Sequence, residues 1–188
     1  MAHCLVVGGT GMLRTVAIVL AEAGHRVSVV ARNKERLVGL IRDTQRSPGV
    51  INPIAVDYSD RAAFEAKLRE ATAVLGPIAM AVVWIRSDAA DSLAVVARLL
   101  GEQSDPCQVY RILGSQAADP SVTTDAHSPF DNIAGVSYRT VILGFKREHE
   151  RSRWLTDDEI SAGVLDAIAN DRLAAVVGTV EPWDQRPR

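Results

Sequence analysis

A glycine-rich turn between an apolar strand and a helix constrains this chain most strongly. The turn is Gly8-Gly9-Thr10-Gly11, and it follows the short apolar run of residues 4–7. Such a run is typical of a strand that is buried on both faces. Apolar residues then recur at helical spacing over residues 12–23, and a second apolar run covers residues 27–30. Strand, turn, helix and strand in this order predict a βαβ unit at the N-terminus.

The predicted turn suits a phosphate group. Glycine lets the backbone turn sharply and lets a ligand approach where a Cβ atom would collide. The helix that begins near Met12 presents unpaired amide N–H groups and a partial positive charge, so a pyrophosphate can bind there without a dedicated cation. The alternative is a tight turn with a purely structural role. The strand before the turn, with the helix and second strand after it, favours a dinucleotide-binding turn.

The turn also resembles a known family. Gly8-Gly9-Thr10-Gly11-Met12-Leu13 is similar to the G-x-x-G-x-x-G turn of atypical and extended short-chain dehydrogenase/reductase-like NAD(P)-binding proteins. The alternation of elements is similar as far as about Ser115. The third glycine position is Arg14 here, where glycine normally allows close packing of helix on strand. Two roles stay open for Arg14: contact with a cofactor phosphate, or exposure to solvent.

Arg32, at the end of the second predicted strand, bears on the choice of cofactor. An acidic residue there binds the ribose 2′-hydroxyl of NAD, whereas an arginine suits the 2′-phosphate of NADP. Because a charge-assisted hydrogen bond contributes about 1.5–3 kcal/mol, we expect NADP(H) to bind roughly ten- to a hundredfold more tightly than NAD(H). The alternative is a surface arginine beside Asn33, which can cap the next helix. The two roles are compatible.

Composition bounds the class of protein. A chain of 188 residues with 47% hydrophobic residues and a net charge of −2 suits one globular domain, which we assign to residues 1–180, followed by a polar tail at 181–188. The charge balance supports neither a nucleic-acid partner nor an anionic membrane surface. The absence of a charged leader and of a long apolar run predicts a cytoplasmic protein. Cys4 and Cys107 are expected to be buried hydrophobes, and the scattered histidines predict no metal site.

The pattern beyond the first unit predicts a doubly wound α/β domain of Rossmann type, with a mostly parallel sheet of six to seven strands. Further strands are expected at residues 50–56, 78–85, 108–113, 138–145 and 174–177. Helices are expected at residues 34–46, from Ser59 or Asp60 to about 74, at 91–101, and from a capping box at Thr156 to about 170. The direction of the sixth strand, which we place towards the sheet edge, stays open. Residues 146–153 are expected to form a surface loop or hairpin.

Polar residues after several predicted strands complete the candidate cofactor site. Asp57-Tyr58 follows the third strand, where similar dinucleotide-binding proteins place an acid near the adenine. Arg86 follows the fourth strand, at the edge where open α/β sheets bind ligands, and it suits an anionic substrate or a cofactor phosphate. The predicted cofactor-binding residues are Gly8, Gly9, Thr10, Gly11, Met12, Leu13, Arg14, Arg32, Asn33, Asp57, Tyr58 and Arg86.

The catalytic dyad of the classical short-chain dehydrogenases is absent. In those proteins a Tyr-x-x-x-Lys pair follows the fifth strand, and a serine at the end of that strand holds the substrate oxygen. The residues four positions after Tyr58, Tyr110 and Tyr138 are alanine, glycine and isoleucine, so no tyrosine has a lysine partner. Residues 116–137, where the catalytic helix should be, lack an amphipathic period and suit either a functional lid or an irregular connection.

Three residues remain as candidates for the chemistry: Ser115, His127 and Tyr138. Ser115 occupies the serine position, whereas His127 is either a general acid or a solvated loop residue. Solvent is a further proton source. Trp84 suits the core or a stacking platform, and Trp154 either packs against the last helix or closes over the substrate side.

Two functions follow from these residues and the resemblance. One is a small NADPH-dependent reductase that acts on an unidentified carbonyl or conjugated small molecule. The other is a non-catalytic NADP(H)-sensing module, which the missing dyad favours. The small size and the apolar sixth strand are compatible with a homodimer.

Overall fold

The computed structural model describes residues 1–119, 128–148 and 151–187. The helices of these residues are α1 (Arg14–Glu22), α2 (Lys34–Asp43), α3 (Arg61–Leu75), α4 (Ala90–Gly101) and α5 (Asp157–Ala169). The strands are β1 (His3–Val7), β2 (Arg26–Ala31), β3 (Val50–Ala55), β4 (Ile78–Val83), β5 (Cys107–Leu113), β6 (Val136–Leu143), β7 (Phe145–Glu148), β8 (Arg151–Trp154) and β9 (Ala174–Val177). No helix in the described part of the chain is both long and apolar enough to cross a membrane.

Seven strands form one parallel sheet in the order β3-β2-β1-β4-β5-β6-β9. Strand order runs outward in both directions from the β1–β4 pair, so the sheet is doubly wound and its switch point lies there. Helices α1, α2 and α5 supply one buried cluster, and α3 and α4 supply the other. The predicted α/β fold class and parallel sheet are therefore confirmed.

The sixth strand runs parallel to its neighbour, which resolves the direction that the sequence left open. Its pairing with β5 extends from Cys107–Val136 to Leu113–Ile142. A parallel return needs a connection of roughly a dozen residues or more, and residues 114–135 are long enough to supply it. Strand β9 lies beyond β6 and forms the edge. The charged segment after β6 forms the antiparallel β7–β8 hairpin.

Local side-chain hydrogen bonds fix the starts of three helices as predicted. Asn33 accepts a hydrogen bond from the Arg36 N–H at 2.7 Å, and Asp60 caps α3. The capping box of α5 is present at Thr156 and Glu159. Helix α1 begins at Arg14, two residues later than the apolar spacing indicates, because residues 8–13 form turns.

Both cysteines lie in the core without a disulfide, as the sequence predicts. Burial raises the pKa of the Cys4 thiol to about 11 and that of the Cys107 thiol to about 12. Both thiols are therefore neutral at physiological pH and act as small apolar side chains.

Candidate cofactor and substrate site

The glycine turn leads from β1 to α1 at the switch point of the sheet, and it is hydrogen-bonded to the end of β2. Gly8 has a φ of +84°, and its N–H donates to the Val30 carbonyl at 3.0 Å. A Cβ atom at Gly9 would lie 2.7 Å from Val29 Cγ1 and 2.9 Å from Val6 Cγ1. At Gly11 an added Cβ atom would meet nothing within 4 Å. The first two glycines therefore shape the turn, and the third leaves an open approach to it.

Three further residues predicted to bind the cofactor, Met12, Leu13 and Arg14, contact other parts of the protein. Leu13 is fully buried, and the Met12 carbonyl accepts a hydrogen bond from the Ser161 hydroxyl at 2.6 Å. The guanidinium of Arg14 forms an ion pair with Asp43 at the end of α2. Arg14 thus links α1 to α2, an arrangement that neither sequence-based alternative included.

Trp84 connects the glycine turn with the end of β5. A Cβ atom at Gly8 would lie 3.4 Å from Trp84 Cδ1, and one at Gly114 would lie 3.8 Å from Trp84 Cη2. The Trp84 N–H donates to the Val7 carbonyl at 3.2 Å. The residue packs against the core, one of the two roles expected for it, and it also lines a cleft.

Two clefts adjoin one another along the carboxyl edge of the sheet. The first, which we call the Ser115 cleft, has a volume of about 520 Å³; the second, the Arg32 cleft, has a volume of about 450 Å³. Arg86 and Ser87 line both clefts. Each volume lies in the range of small-molecule sites, and a ligand longer than either cleft can span the two across Arg86.

The Arg32 cleft contains several of the predicted cofactor-binding residues. Arg32, Asp57, Tyr58 and Arg86 line it, and Asn33 lies beside it as the cap of α2. Asp57 accepts a hydrogen bond from the Ser59 N–H at 2.9 Å. This bond, with a smaller contribution from Arg32, lowers the pKa of the Asp57 carboxyl group. Asp57 is therefore a carboxylate at neutral pH.

The charges of the Arg32 cleft are paired. Its arginines face three aspartates, in the pairs Arg32–Asp57 at 3.6 Å, Arg61–Asp91 at 2.8 Å and Arg86–Asp88 at 2.7 Å. All these side chains are largely exposed, so each pair contributes little to stability and opens at low cost. The arginines are consequently available to an anionic ligand.

The Ser115 cleft begins where β5 ends. Ser115 is 7% exposed and opens a short 3-10 helix, Ser115–Ala118. Trp154, from β8, also lines this cleft and is 45% exposed. Its expected closure over the substrate side requires this position and stays a prediction. Arg111 and Arg186 also line this cleft.

Of the two catalytic candidates within the described residues, Ser115 lines a cleft and Tyr138 does not. Tyr138 stacks on Phe130 with ring centroids 5.5 Å apart and packs against the second buried cluster. His127 lies outside the described residues. The described geometry therefore brings Ser115 to the site and leaves Tyr138 outside the described lining of both clefts.

Sequence reasoning missed Arg111 and Arg186. Arg111 is a single charged residue in the otherwise largely apolar strand Cys107–Leu113, and that interruption is a signal that could have identified it. Arg186 reaches the cleft from the C-terminal tail, where its guanidinium lies 4.5 Å from the centroid of the Trp183 ring. No local sequence pattern indicates this return of the tail.

Comparison with known proteins agrees with the fold. No family model matches the chain. A short-chain dehydrogenase from Pseudocercospora fijiensis is 34% identical over 71 residues, which are 38% of this chain and 23% of that protein. The match therefore spans about a quarter of the relative's length.

Solved structures extend the similarity to nearly the whole chain. A short-chain type dehydrogenase/reductase from Mycobacterium marinum has a TM-score of 0.70 at 17% identity, covering 96% of this chain and 95% of that one. A metagenomic short-chain oxidoreductase in complex with NADP has a TM-score of 0.63 at 19% identity, covering 95% and 97%. The chain has the Rossmann fold of the short-chain dehydrogenases and reductases.

Proposed function

We propose that this protein binds NADP(H) along the carboxyl edge of its sheet and reduces a small carbonyl or conjugated compound. The observation that carries the proposal is the meeting of two clefts at Arg86, beside the switch point of a short-chain dehydrogenase-like sheet. Ligands of open α/β sheets bind at this edge. A similar structure that holds NADP supports a nicotinamide cofactor.

The residues present fit such a cofactor. The open approach at Gly11 leaves room for a pyrophosphate before α1, whose amide groups favour an anion. Arg32 and Asn33 would hold the ribose phosphate, and Asp57 with Tyr58 would bound the adenine. The Arg32 side chain is 76% exposed, so it is free to turn from Asp57 towards a phosphate. NADP(H) is therefore favoured over NAD(H).

The Ser115 cleft would hold the substrate. NADPH held in the Arg32 cleft would supply the hydride that reduces the substrate carbon. The Ser115 hydroxyl would donate a hydrogen bond to the carbonyl oxygen, which gains negative charge as the hydride arrives. That oxygen would then take one proton from solvent or from His127, since the expected alternative, Tyr138, packs against the second buried cluster outside the lining of the cleft. Trp84 and Trp154 would limit the access of water.

Oxidation of NADPH by the purified full-length protein tests the proposal, with quinones, aldehydes and enones as substrates. We expect turnover with at least one carbonyl or enone. Ser115→Ala should lower kcat by roughly a hundredfold, since it removes a hydrogen-bond donor to the developing oxyanion. Ser104→Ala, at an exposed serine outside the lining of both clefts, is the matched control. Turnover of Ser115→Ala at the wild-type rate would remove Ser115 from the mechanism.

A second candidate function is an NADP(H)-sensing module without catalysis. Two observations favour it: no tyrosine is followed by the dyad lysine, and the described parts of the β5–β6 connection, 114–119 and 128–135, contain turns and one short 3-10 helix in place of an α-helix. Tight NADPH binding without turnover on any substrate of the panel would favour this function.

A further inference from the structure

The Ser115 cleft carries an unbalanced positive charge. Arg86, Arg111 and Arg186 line it, and its described lining residues include no aspartate or glutamate. Arg86 pairs with Asp88 of the neighbouring cleft, so the excess charge comes from Arg111 and Arg186, which occur in no ion pair among the described residues. The Arg32 cleft also has three arginines, but three aspartates face them. Two adjoining clefts of similar size thus differ in charge, and this difference indicates different ligands.

One of these positive charges, that of Arg111, comes from the central part of the sheet. Arg111 lies within β5 between β4 and β6 and is partly buried. Within residues 1–119, 128–148 and 151–187, no carboxylate lies at ion-pair distance from it. Burial lowers the pKa of its guanidinium, an effect that the nearby Tyr138 phenol opposes. Arginine nevertheless stays protonated in proteins, so the cleft contains a partly desolvated cation.

A cation in that position costs free energy unless an anion compensates it. Arg186 adds a second charge, and its stacking on Trp183 uses the face of the guanidinium. Stacking leaves the N–H edge of a guanidinium available for oxygen ligands. The remaining wall includes the apolar side chains of Trp84, Leu113 and Trp154, which suit the body of an organic molecule.

We propose that the substrate is an organic anion, a carbonyl compound whose carboxylate or phosphate group binds Arg111 and Arg186 while its apolar body packs on the tryptophans. A planar guanidinium matches two oxygens of either group. The inference deepens the proposed function, on which its catalytic consequence rests. The binding claim itself is independent of the cofactor.

Direct titration of the full-length protein tests this proposal with three small probes of one shape: benzoate, phenyl phosphate and the neutral benzamide. Calorimetry or quenching of tryptophan fluorescence measures binding, because Trp84 and Trp154 line the cleft. We expect at least one anion to bind roughly tenfold or more tightly than benzamide, the ratio that one charge-assisted contact supplies. The preferred anion identifies the group as carboxylate or phosphate.

Variants then assign the preference to the arginines. Arg111→Gln should reduce the preference for the anion to within about twofold of benzamide, and Arg186→Gln should reduce it in part. Arg111→Lys should retain part of it, since the charge remains but the contact with two oxygens is lost. Arg36→Gln, at an exposed arginine on α2, should have no effect. If Arg111→Gln does not fold, the other two variants test the proposal. An anion preference that Arg186→Gln and Arg111→Lys both leave unchanged would then contradict it.

Two outcomes overturn the inference: equal binding of the anions and benzamide to the wild-type protein, or an anion preference that Arg111→Gln and Arg186→Gln both leave intact. Repeating the titrations with and without NADPH separates this inference from the proposed function. If the wild-type protein prefers the anions but does not bind NADPH, the proposed function is wrong and this inference stands. If it binds NADPH but does not prefer the anions to benzamide, this inference is wrong and the proposed function stands.

Discussion

The Nη1 atom of Arg32 lies 3.6 Å from Oδ2 of Asp57, which is too long for a good hydrogen bond. Asp57 instead accepts a hydrogen bond of 2.9 Å from the Ser59 N–H. The guanidinium is therefore held near the end of β2 without being committed to the carboxylate. This arrangement keeps a cation available where the ribose of a dinucleotide is expected to bind.

Replacing Arg32 should change the choice between cofactors. Arg32→Gln removes the charge that would bind the 2′-phosphate, so NADPH affinity should fall roughly ten- to a hundredfold while NADH affinity changes by less than about threefold. Calorimetric titration of both cofactors measures the ratio. Arg36→Gln controls for a general loss of charge near α2. An unchanged ratio in Arg32→Gln would remove Arg32 from the cofactor site.

Substitutions at two of the three turn glycines, Gly9 and Gly11, should affect different properties: Gly9 the stability of the fold, and Gly11 the binding of the cofactor. Gly9→Ala places a methyl group against Val6 and Val29 at under 3 Å, so the free energy of unfolding should fall by about 1–3 kcal/mol. Gly11→Ala meets open space and should stay within about 0.5 kcal/mol of the wild type. The same Gly11→Ala protein should bind NADPH less tightly, because its methyl group fills the approach to the turn. Urea unfolding and NADPH titration test both, and normal cofactor binding by Gly11→Ala would contradict a pyrophosphate at that position.

Asp171 should stabilise the sheet through a buried arginine. The Arg139 side chain is 6% exposed and pairs with Asp171, which is 62% exposed. Asp171→Asn removes the charge partner at a position with φ of +48° that asparagine tolerates. We expect a loss of about 1–3 kcal/mol in unfolding free energy, less than for a fully buried pair because solvent reaches Asp171. Asp166→Asn, in an exposed pair with Arg172, should cost under about 1 kcal/mol; equal losses in the two variants would contradict this account.

The free energy of unfolding should decrease as the pH falls, because His3 is buried in its neutral form. Its Nδ1 lies 2.8 Å from the Gly76 carbonyl and its Nε2 lies 2.8 Å from the Ser28 hydroxyl. Because a carbonyl only accepts, Nδ1 carries the proton and Nε2 accepts from Ser28, whose oxygen in turn accepts from Asn52 at 3.0 Å. Burial above all lowers the pKa of this histidine below its ordinary 6.5. The folded state thus favours neutral His3.

The sign of the pH dependence follows from that lowered pKa. Below pH 6.5 the unfolded chain binds a proton that the folded protein does not, so the stabilisation is complete above pH 6.5 and is lost as the pH falls through the folded pKa. Denaturant unfolding at a series of pH values should show this loss in the wild type. His3→Gln should have a shallower dependence over the same window. An identical pH profile for the two proteins would contradict the assignment.

Much of the fold follows from local sequence. Continuous apolar runs predicted the central parallel strands, since such strands are buried on both faces. The caps at Asn33, Asp60 and Thr156 were predictable because each side chain bonds to the backbone of its own helix. The direction of β6 was not predictable, because it depends on a long connection without a recognisable helix.

The site was predictable only in part, because its side chains come together through distant contacts. Arg32 and Ser115 were identified from their places at strand ends, and both line a cleft. The ion pair of Arg14 joins residues 29 positions apart, which no local pattern reveals. Arg186 likewise reaches the Ser115 cleft from the C-terminal tail, which is distant in sequence from Ser115.

Comparison of NADPH and NADH binding to the purified wild-type protein by calorimetry tests the central claim most directly. The account predicts that NADPH binds with one-to-one stoichiometry and roughly ten- to a hundredfold more tightly than NADH, the advantage supplied by Arg32. If neither NADPH nor NADH binds, the account is contradicted. The glycine turn would then have a structural role, and the two clefts would serve a ligand of another class.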